Sequence, residues 1–344
     1  MYENTHSQIE NSQTCVTTQM KENDRPLVSF IILTYRQSQF IRSAVQSALN
    51  QEYSPLEIII SDDCSPDNTF EIVQELIRGY HGPHKVLIRR NEKNLGIAQH
   101  FSDVMALTHG ELIITSGGDD DSLGMRTSAT VESWLAHGRE PDLIACDVID
   151  MDHEGQCHGV VQVDDLAKYR DIGDWAADPP RIIGAGLAYS RRLVDAYPAL
   201  PEGLSHEDQL GVVRAILGQG GITLRTPLVK YRRGGISRSP QLDTGPALRR
   251  NLLLGARNDW LFLSQVLHDA GRSMPLHHAT RLRKLAGRAR HVLNLESAGF
   301  WRTVALTAYS RNADAGFRVR ALIHLRASAF VAAVNRLKQG YRTR

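Results

Sequence analysis

Apolar runs and segments of helical period alternate along the first third of this chain. Residues 27–34, Leu-Val-Ser-Phe-Ile-Ile-Leu-Thr, are almost continuously apolar, as a strand covered on both faces requires. Phe40, Ile41, Ala44, Val45, Ala48 and Leu49 then recur at helical spacing, which predicts an amphipathic helix over 37–50. Pro55 marks a turn, and Leu56-Glu57-Ile58-Ile59-Ile60-Ser61 reads as a second strand. A helix is expected to open near Thr69, capped by Asp67 or Asn68. A third strand follows at Lys85-Val86-Leu87-Ile88, then a loop over 91–96 and a helix over 97–107 that His109-Gly110 terminates. Leu112-Ile113-Ile114 starts a fourth strand. Four strand–helix alternations in about ninety residues predict a parallel sheet with right-handed crossovers.

The pattern loosens afterwards. Leu143 to Val148 reads as a strand, 150–178 as an acidic, turn-rich stretch, and Arg181 to Ala188 as a further strand, with Arg191 and Arg192 opening a helix. Leu210, Val213, Ile216 and Leu217 define another helix, and the chain from about 245 is helical in character.

Ligands in parallel sheets sit beyond the carboxyl ends of the strands. The Thr34-Tyr35 turn, the Asp62-Asp63 turn and the run Gly117-Gly118-Asp119-Asp120-Asp121 all lie at such ends, so their polar groups are expected to share one crevice. Three adjacent carboxylates repel one another and raise one another's pKa, which makes sense if a divalent cation such as Mg²⁺ or Mn²⁺ neutralises them. An ordinary acidic turn is the alternative for that run alone. A second acidic pair, Glu207-Asp208, stands where a helix begins, a place that caps and the helix dipole also favour.

Composition and charge add two things. At 344 residues, 42% hydrophobic and 23% charged, the chain has ample material for a large core. The cysteines, Cys15, Cys64, Cys146 and Cys157, have no metal-ligand spacing and read as the reduced thiols of a cytoplasmic protein. The net charge of +2 conceals an asymmetry: residues 245–344 carry 18 basic and 4 acidic side chains, a net of +14, against −12 for the rest. A basic helical region of this kind suits an anionic membrane surface, and no nucleic-acid-binding motif accompanies the charge.

The stretch from Val28 to Tyr35, Ser47-Ala48-Leu49-Asn50-Gln51, and Glu57 through Asp63 to Thr69 closely resemble the opening of family 2 glycosyltransferases. Asn94-Leu95-Gly96 and Gly110 through Asp121 continue the likeness in order, and it extends over about 27–238. The chain departs from that family's pattern at Leu33, where a proline is common, and at Arg36, where Asn is usual. It also has Gly117 where the Asp-x-Asp motif often starts, and lacks a histidine common near Gly234. The resemblance implies an α/β, GT-A type nucleotide-diphospho-sugar transferase fold with a mostly parallel central sheet over 25–240. A disordered tail over 1–24 would precede it, and a basic α-helical region over 241–344 would follow.

It also implies roles. Thr34 and Tyr35 would border the nucleobase and Asp63 would accept a hydrogen bond from it, with Asn94 and Asp119 also on the nucleotide. Asp120 would hold Mn²⁺ or Mg²⁺, assisted by Asp119 and Asp121. Asp208 would be the general base of an inverting transfer, with Glu207 and His206 orienting it or lining the acceptor site. Arg232 and Arg233 would reach the diphosphate. Trp175 would stack on a sugar ring or anchor its loop on the core. The implied donor is a UDP-, dTDP- or GDP-linked sugar and the acceptor a glycan or a lipid-linked glycan of cell-surface polysaccharide synthesis, at the cytoplasmic membrane face. A binding protein of the same fold without turnover, and a sugar nucleotidyltransferase, are the rival readings; the latter lacks a Gly-rich phosphate loop here.

Overall fold

The computed structural model describes residues 24–234, 244–310 and 313–328. The expected tail before residue 24 and the segment 235–243 lie outside the described residues.

The first half follows the sequence pattern: β1 (Val28–Thr34), α1 (Ile41–Leu49), β2 (Leu56–Asp62), α2 (Thr69–Arg78), β3 (Lys85–Arg90), α3 (Ile97–Met105) and β4 (Leu112–Gly117). β1 pairs in parallel with β2 on one side and β4 on the other, and β2 pairs in parallel with β3. Phe30, Ile31 and Ile32 of β1 are fully buried, the consequence of a central strand covered by helices on both faces. The register of the ladders aligns Thr34 with Asp62 and Leu33 with Gly117, which puts the three polar turns side by side at one edge of the sheet.

The second half adds β5 (Asp121–Ser122), α4 (Arg126–Ala136), β6 (Leu143–Met151), β7 (Cys157–Val161), α5 (Ile172–Ala177), β8 (Leu187–Ser190), α6 (Arg191–Ala196), α7 (Glu207–Leu217) and β9 (Gly221–Arg232). The sheet order is β3-β2-β1-β4-β8-β6-β9-β5, with β7 hung on β6. β8 runs antiparallel between β4 and β6, while β9 is parallel to β6. The sheet is therefore mixed, although β1, β2, β3, β4, β6 and β9 all point the same way.

The strand expected over 181–188 begins only at Leu187; a single 3₁₀ turn, Gly184–Gly186, precedes it. Pro179 and Pro180 stand just upstream and have no N–H to give a ladder. The turn is held instead by Thr115 Oγ1, within 3.1 Å of the carbonyls of both Gly184 and Leu187.

The helical region comprises α8 (Gly245–Ala270), α9 (Leu276–Glu296), α10 (Phe300–Tyr309) and α11 (Ala315–Arg326). It is not a separate layer. Val266, Ala270, Met274, Ala279 and Leu282 lie in the same buried cluster as Leu204, Leu210, Val213 and Trp175. A second, smaller core joins Ala256 of α8 to Val292, Leu295 and Leu325.

Candidate active site

The cleft sits where the strands end. A cavity of about 630 Å³ is lined by Thr34 and Tyr35 after β1, Asp63 after β2, Asn94 before α3, Asp119 and Asp120 after β4, and Glu207 and Asp208 at the start of α7. Elements far apart in sequence are thus joined by topology alone.

The two turns at one end of the cleft are tight. Arg36 (φ 55°) and Cys64 (φ 59°) are left-handed, and the Arg36 N–H donates to Ser65 Oγ at 2.9 Å, tying one turn to the other. Asp62 is consumed structurally: Ser65 donates to it from its N–H at 2.8 Å and from its hydroxyl, and Arg90 Nε lies 3.4 Å away. The Asp63 carboxylate accepts from Asn91 Nδ2 (2.7 Å), Leu95 N–H (2.8 Å) and Gly96 N–H (2.9 Å), so it shapes the 91–96 loop and keeps one lone pair for a ligand. Asn94 Nδ2 donates to the Asp63 carbonyl at 3.1 Å. Thr34 Oγ1 is buried and has no hydrogen-bond partner among the described residues.

The glycine pair has a steric reason. A Cβ on Gly118 would fall 2.6 Å from Thr34 Oγ1. One on Gly117 would fall 2.8 Å from Asp120 Oδ2 and 2.9 Å from Asp119 Oδ1. Two carboxylate oxygens therefore converge on one point above Gly117. Burial, reinforced by the Asp119 charge, pushes Asp120 up to about 7, and burial also raises Asp119. The Arg232 N–H donates to Asp120 Oδ1 at 2.9 Å. Two converging, under-compensated carboxylates fit a hard divalent cation, which takes one or two protein carboxylates and fills its shell with phosphate and water oxygens. Among the described residues no group of three or more His, Cys, Asp or Glu is arranged to hold a metal. Asp121 does not join the pair: it lies in β5, opposite Lys230, and is absent from the cleft wall.

At the other end, burial and the adjacent Asp208 charge raise Glu207 to about 8, and burial raises Asp208. The Gln209 N–H donates to Asp208 Oδ1 at 2.7 Å. Tyr189, between these acids and Phe101, is held well above the ordinary tyrosine range by burial and by their charge.

Four other sequence candidates take different places. Trp175 is 2% exposed, edge-on to Phe262 at 5.9 Å, with Nε1 on Gln209 Oε1 at 3.4 Å; it anchors α5 on the core and faces no ligand space. His206 turns toward α8, bonded to Asn258 and 5.3 Å from the Phe262 ring. Arg233 is ion-paired with Asp150. Arg232 does line the cleft, but as a buried strut: its Nε donates to the Asp119 carbonyl (3.0 Å), Nη1 to those of Asp152 and His153 (2.9 and 3.1 Å), and its guanidinium stacks on Phe40 at 4.3 Å. Only the Nη2 hydrogens remain for a phosphate.

Sequence reasoning passed over three residues. Gln37 lines the cleft, and its side-chain amide favours the charged form of Asp119 against the effect of burial. His100 lines it too, with Nε2 2.7 Å from Ser61 Oγ and its pKa pushed down to about 4 by burial. Arg126, 1% exposed, donates from Nη2 to the carbonyls of Thr115 (2.8 Å) and Ala185 (2.6 Å) and from Nη1 to Ser122 Oγ (2.9 Å). Nothing in the local sequence marks Arg126, whose helix also buries Thr127 and Thr130.

Residues 29–149 match the family model described as Glycosyl transferase family 2. Abequosyltransferase RfbV of Salmonella typhimurium is 32% identical over 123 residues, which is 35% of this chain and 35% of that protein. The putative colanic acid biosynthesis glycosyl transferase WcaA of Escherichia coli K12 is 32% identical over 121 residues, 35% of this chain and 40% of that protein. The similarity thus spans little more than a third of these relatives. Among solved structures, mannosyltransferase PcManGT from Pyrobaculum calidifontis, in complex with GDP-Man and Mn²⁺, superposes with a TM-score of 0.54 at 16% identity, covering 92% of this chain and 88% of that one. S. aureus TarS 1-349 in complex with UDP-GlcNAc gives 0.50 at 15% identity, covering 91% and 92%. These likenesses establish a shared fold across nearly the whole chain.

Proposed function

We propose that this chain, which belongs to glycosyl transferase family 2 through residues 29–149, moves a sugar from a nucleotide-sugar donor to a hydroxyl of a glycan or lipid-linked acceptor, with inversion at the anomeric carbon. The observation that carries the reading is the single cleft that unites a nucleotide-sized recess, the converging Asp119 and Asp120 carboxylates, and the Glu207-Asp208 pair. The sugar transfers named for RfbV and WcaA support a glycan acceptor in surface polysaccharide synthesis. The UDP-GlcNAc and GDP-Man complexes of the fold neighbours make UDP- and GDP-sugars the first donors to try.

Asp119 and Asp120 would hold Mn²⁺ or Mg²⁺, which when bound supplies positive charge against the departing diphosphate. The Arg232 N–H fixes Asp120 Oδ1, and the Arg232 side chain fixes the carbonyl of Asp119, so the pair is pre-oriented. The two acids of α7 divide their work by pKa. Glu207, raised to about 8 by burial and by the Asp208 charge, keeps its proton at neutral pH, and Asp208 is the member of the pair proposed as base. Asp208 takes the proton of the acceptor hydroxyl as that oxygen bonds to the anomeric carbon. The bond to the diphosphate breaks on the opposite face, its electron pair leaves with the nucleotide, and the configuration inverts.

Asp208→Asn tests this. Turnover should fall roughly hundred- to ten-thousandfold while donor affinity stays unchanged. Turnover near that of the unsubstituted enzyme would remove Asp208 from the role. A protein that binds donor but shows neither transfer nor donor hydrolysis under any condition would favour the non-catalytic reading.

A further inference from the structure

The diphosphate of a nucleotide-sugar donor brings negative charge into a cleft that is already acidic. Asp63, Asp119, Asp120, Glu207 and Asp208 line it, and Arg232 is the one arginine or lysine among the described residues that does so. Offset of Asp119 and Asp120 by a divalent cation still leaves the charge of the diphosphate to be met. Neither arginine expected there is free to meet it in full. Arg233 is ion-paired with Asp150, and Arg232 commits its Nε and Nη1 to backbone carbonyls.

A third arginine is uncommitted. A side cavity of about 700 Å³ opens between the turn after β1 and the β6–β7 hairpin at His153. It shares Tyr35, Gln37 and Asp119 with the cleft. Arg36 is exposed and is the one arginine or lysine among the described residues that line this side cavity. Its guanidinium makes no hydrogen bond or ion pair among the described residues. Asp67, on the same wall, is already occupied by the N–H groups of Ser38 and Thr69 and by the Thr69 hydroxyl.

The turn itself has no use for an arginine. Arg36 has φ 55°, a left-handed conformation that glycine adopts freely and asparagine tolerates, but that other side chains adopt at a cost. The turn is held by backbone: the N–H groups of Arg36, Gln37 and Ser38 donate to Ser65 Oγ, Thr69 Oγ1 and Asp67 Oδ2. Asparagine would keep all three bonds with less strain. A strained residue whose side chain has no structural partner is a mark of a functional position.

The sheet says where that side chain acts. The order β2, β1, β4, β8 sets Asp63, Thr34, the Asp119-Asp120 pair and the Gly184 turn in line along the edge, about 4.8 Å per strand. A Cβ on Gly184 would fall 3.5 Å from Asp208 Cβ, so the proposed base stands at the β8 end. With the sugar between Asp208 and the aspartate pair, the nucleoside extends over β1 and β2. The diphosphate then crosses from β4 to β1, the strand whose end carries Arg36.

We infer that the Arg36 guanidinium binds the diphosphate of the donor from the side cavity. Its planar fork suits phosphate oxygens. The inference rests on the proposed nucleotide-sugar donor and adds a substrate-contacting residue to it.

The test is calorimetry of the full chain with UDP and GDP, with and without Mn²⁺, beside ligand-observed NMR with uridine and guanosine. Arg36→Asn keeps a residue suited to the left-handed turn. It should weaken binding of the diphosphate by about tenfold to hundredfold through lost charge-assisted hydrogen bonds, with or without the cation. Nucleoside binding should be unchanged and the unfolding midpoint should not fall. Arg36→Lys, which keeps the charge without the fork, should lie between Arg36→Asn and the parent. Four results would each overturn the inference and leave the donor reading standing: Arg36→Asn binding the diphosphate like the parent, losing the nucleoside equally, weakening only when Mn²⁺ is present, or unfolding earlier. A parent protein that binds no nucleoside diphosphate would sink the donor reading and this inference with it.

Discussion

Glu207 has a carboxyl that titrates near 4.5 in an unfolded chain and at about 8 in the fold. The folded state therefore holds the proton more tightly, so this group's contribution to stability is complete below about pH 4.5 and is lost as pH rises toward 8. Glu207→Gln lacks that titration. Compared across pH 5 to 8 by denaturant unfolding, the parent should lose stability relative to the variant, by about 1.4 kcal/mol per pH unit at most; parallel curves would contradict the assignment. Asp120, raised to about 7, gives a second pH signature. Proton and cation compete for the same oxygens, so Mn²⁺-dependent nucleotide affinity should strengthen from pH 6 to 7 and level off above. Asp120→Asn should abolish the Mn²⁺ dependence, and calorimetry that finds it intact would move the cation elsewhere.

Helix α4 shows how one element supports the catalytic edge without touching a ligand. Its first residue, Arg126, binds the carbonyls of Thr115 and Ala185, holding β4 against the Gly184–Gly186 turn. Arg126→Met would strand those buried carbonyls and should cost roughly 3 kcal/mol or more, read as a lowered unfolding midpoint. A shift within error would show that water replaces the guanidinium. Gln51 does similar work for α1: its Nε2 donates to the carbonyls of Ser47 and Leu123, and its Oε1 accepts from the N–H and the hydroxyl of Thr127. That explains why a glutamine closes the motif at 47–51. The parallel block from β1 to β4 was legible because its strands are continuous apolar runs and its helices keep a regular period. The acidic pairs at 119–120 and 207–208 were legible because like charges at element ends are costly unless used. Arg126, Gln37 and His100 were not, since each is a single polar side chain whose purpose lies in contacts far along the chain, 61 positions away for Arg126 and the Leu187 carbonyl. Trp175 was ambiguous for the converse reason: its sequence context does not say which side of α5 faces inward.

Across the whole molecule, the boundary drawn near residue 240 from charge and composition separates chemistry but not packing. Val266 and Ala270 of α8 and Ala279 and Leu282 of α9 complete the cluster that buries Leu210 and Val213 of α7. Ending the chain at residue 244 should therefore expose that cluster and give an aggregating or partly unfolded product. A soluble, cooperatively unfolding fragment of 25–244 would show instead that the helices are dispensable. The same packing reaches the catalytic edge: Asn258 binds His206 and accepts from the Ser205 N–H at 2.8 Å, and Asp269 grips Arg214 further along α7. The helix bearing the proposed base is thus clamped at both ends by α8. In inheritance, that clamp makes the chain a poor candidate for piecemeal exchange. A recombinant that joins this donor half to a related acceptor half would keep its base in line only if the seam falls outside the span from Leu204 to Leu282. Variation in acceptor preference among close kin should then travel with compensating changes on α8, as a linked block rather than as independent modules.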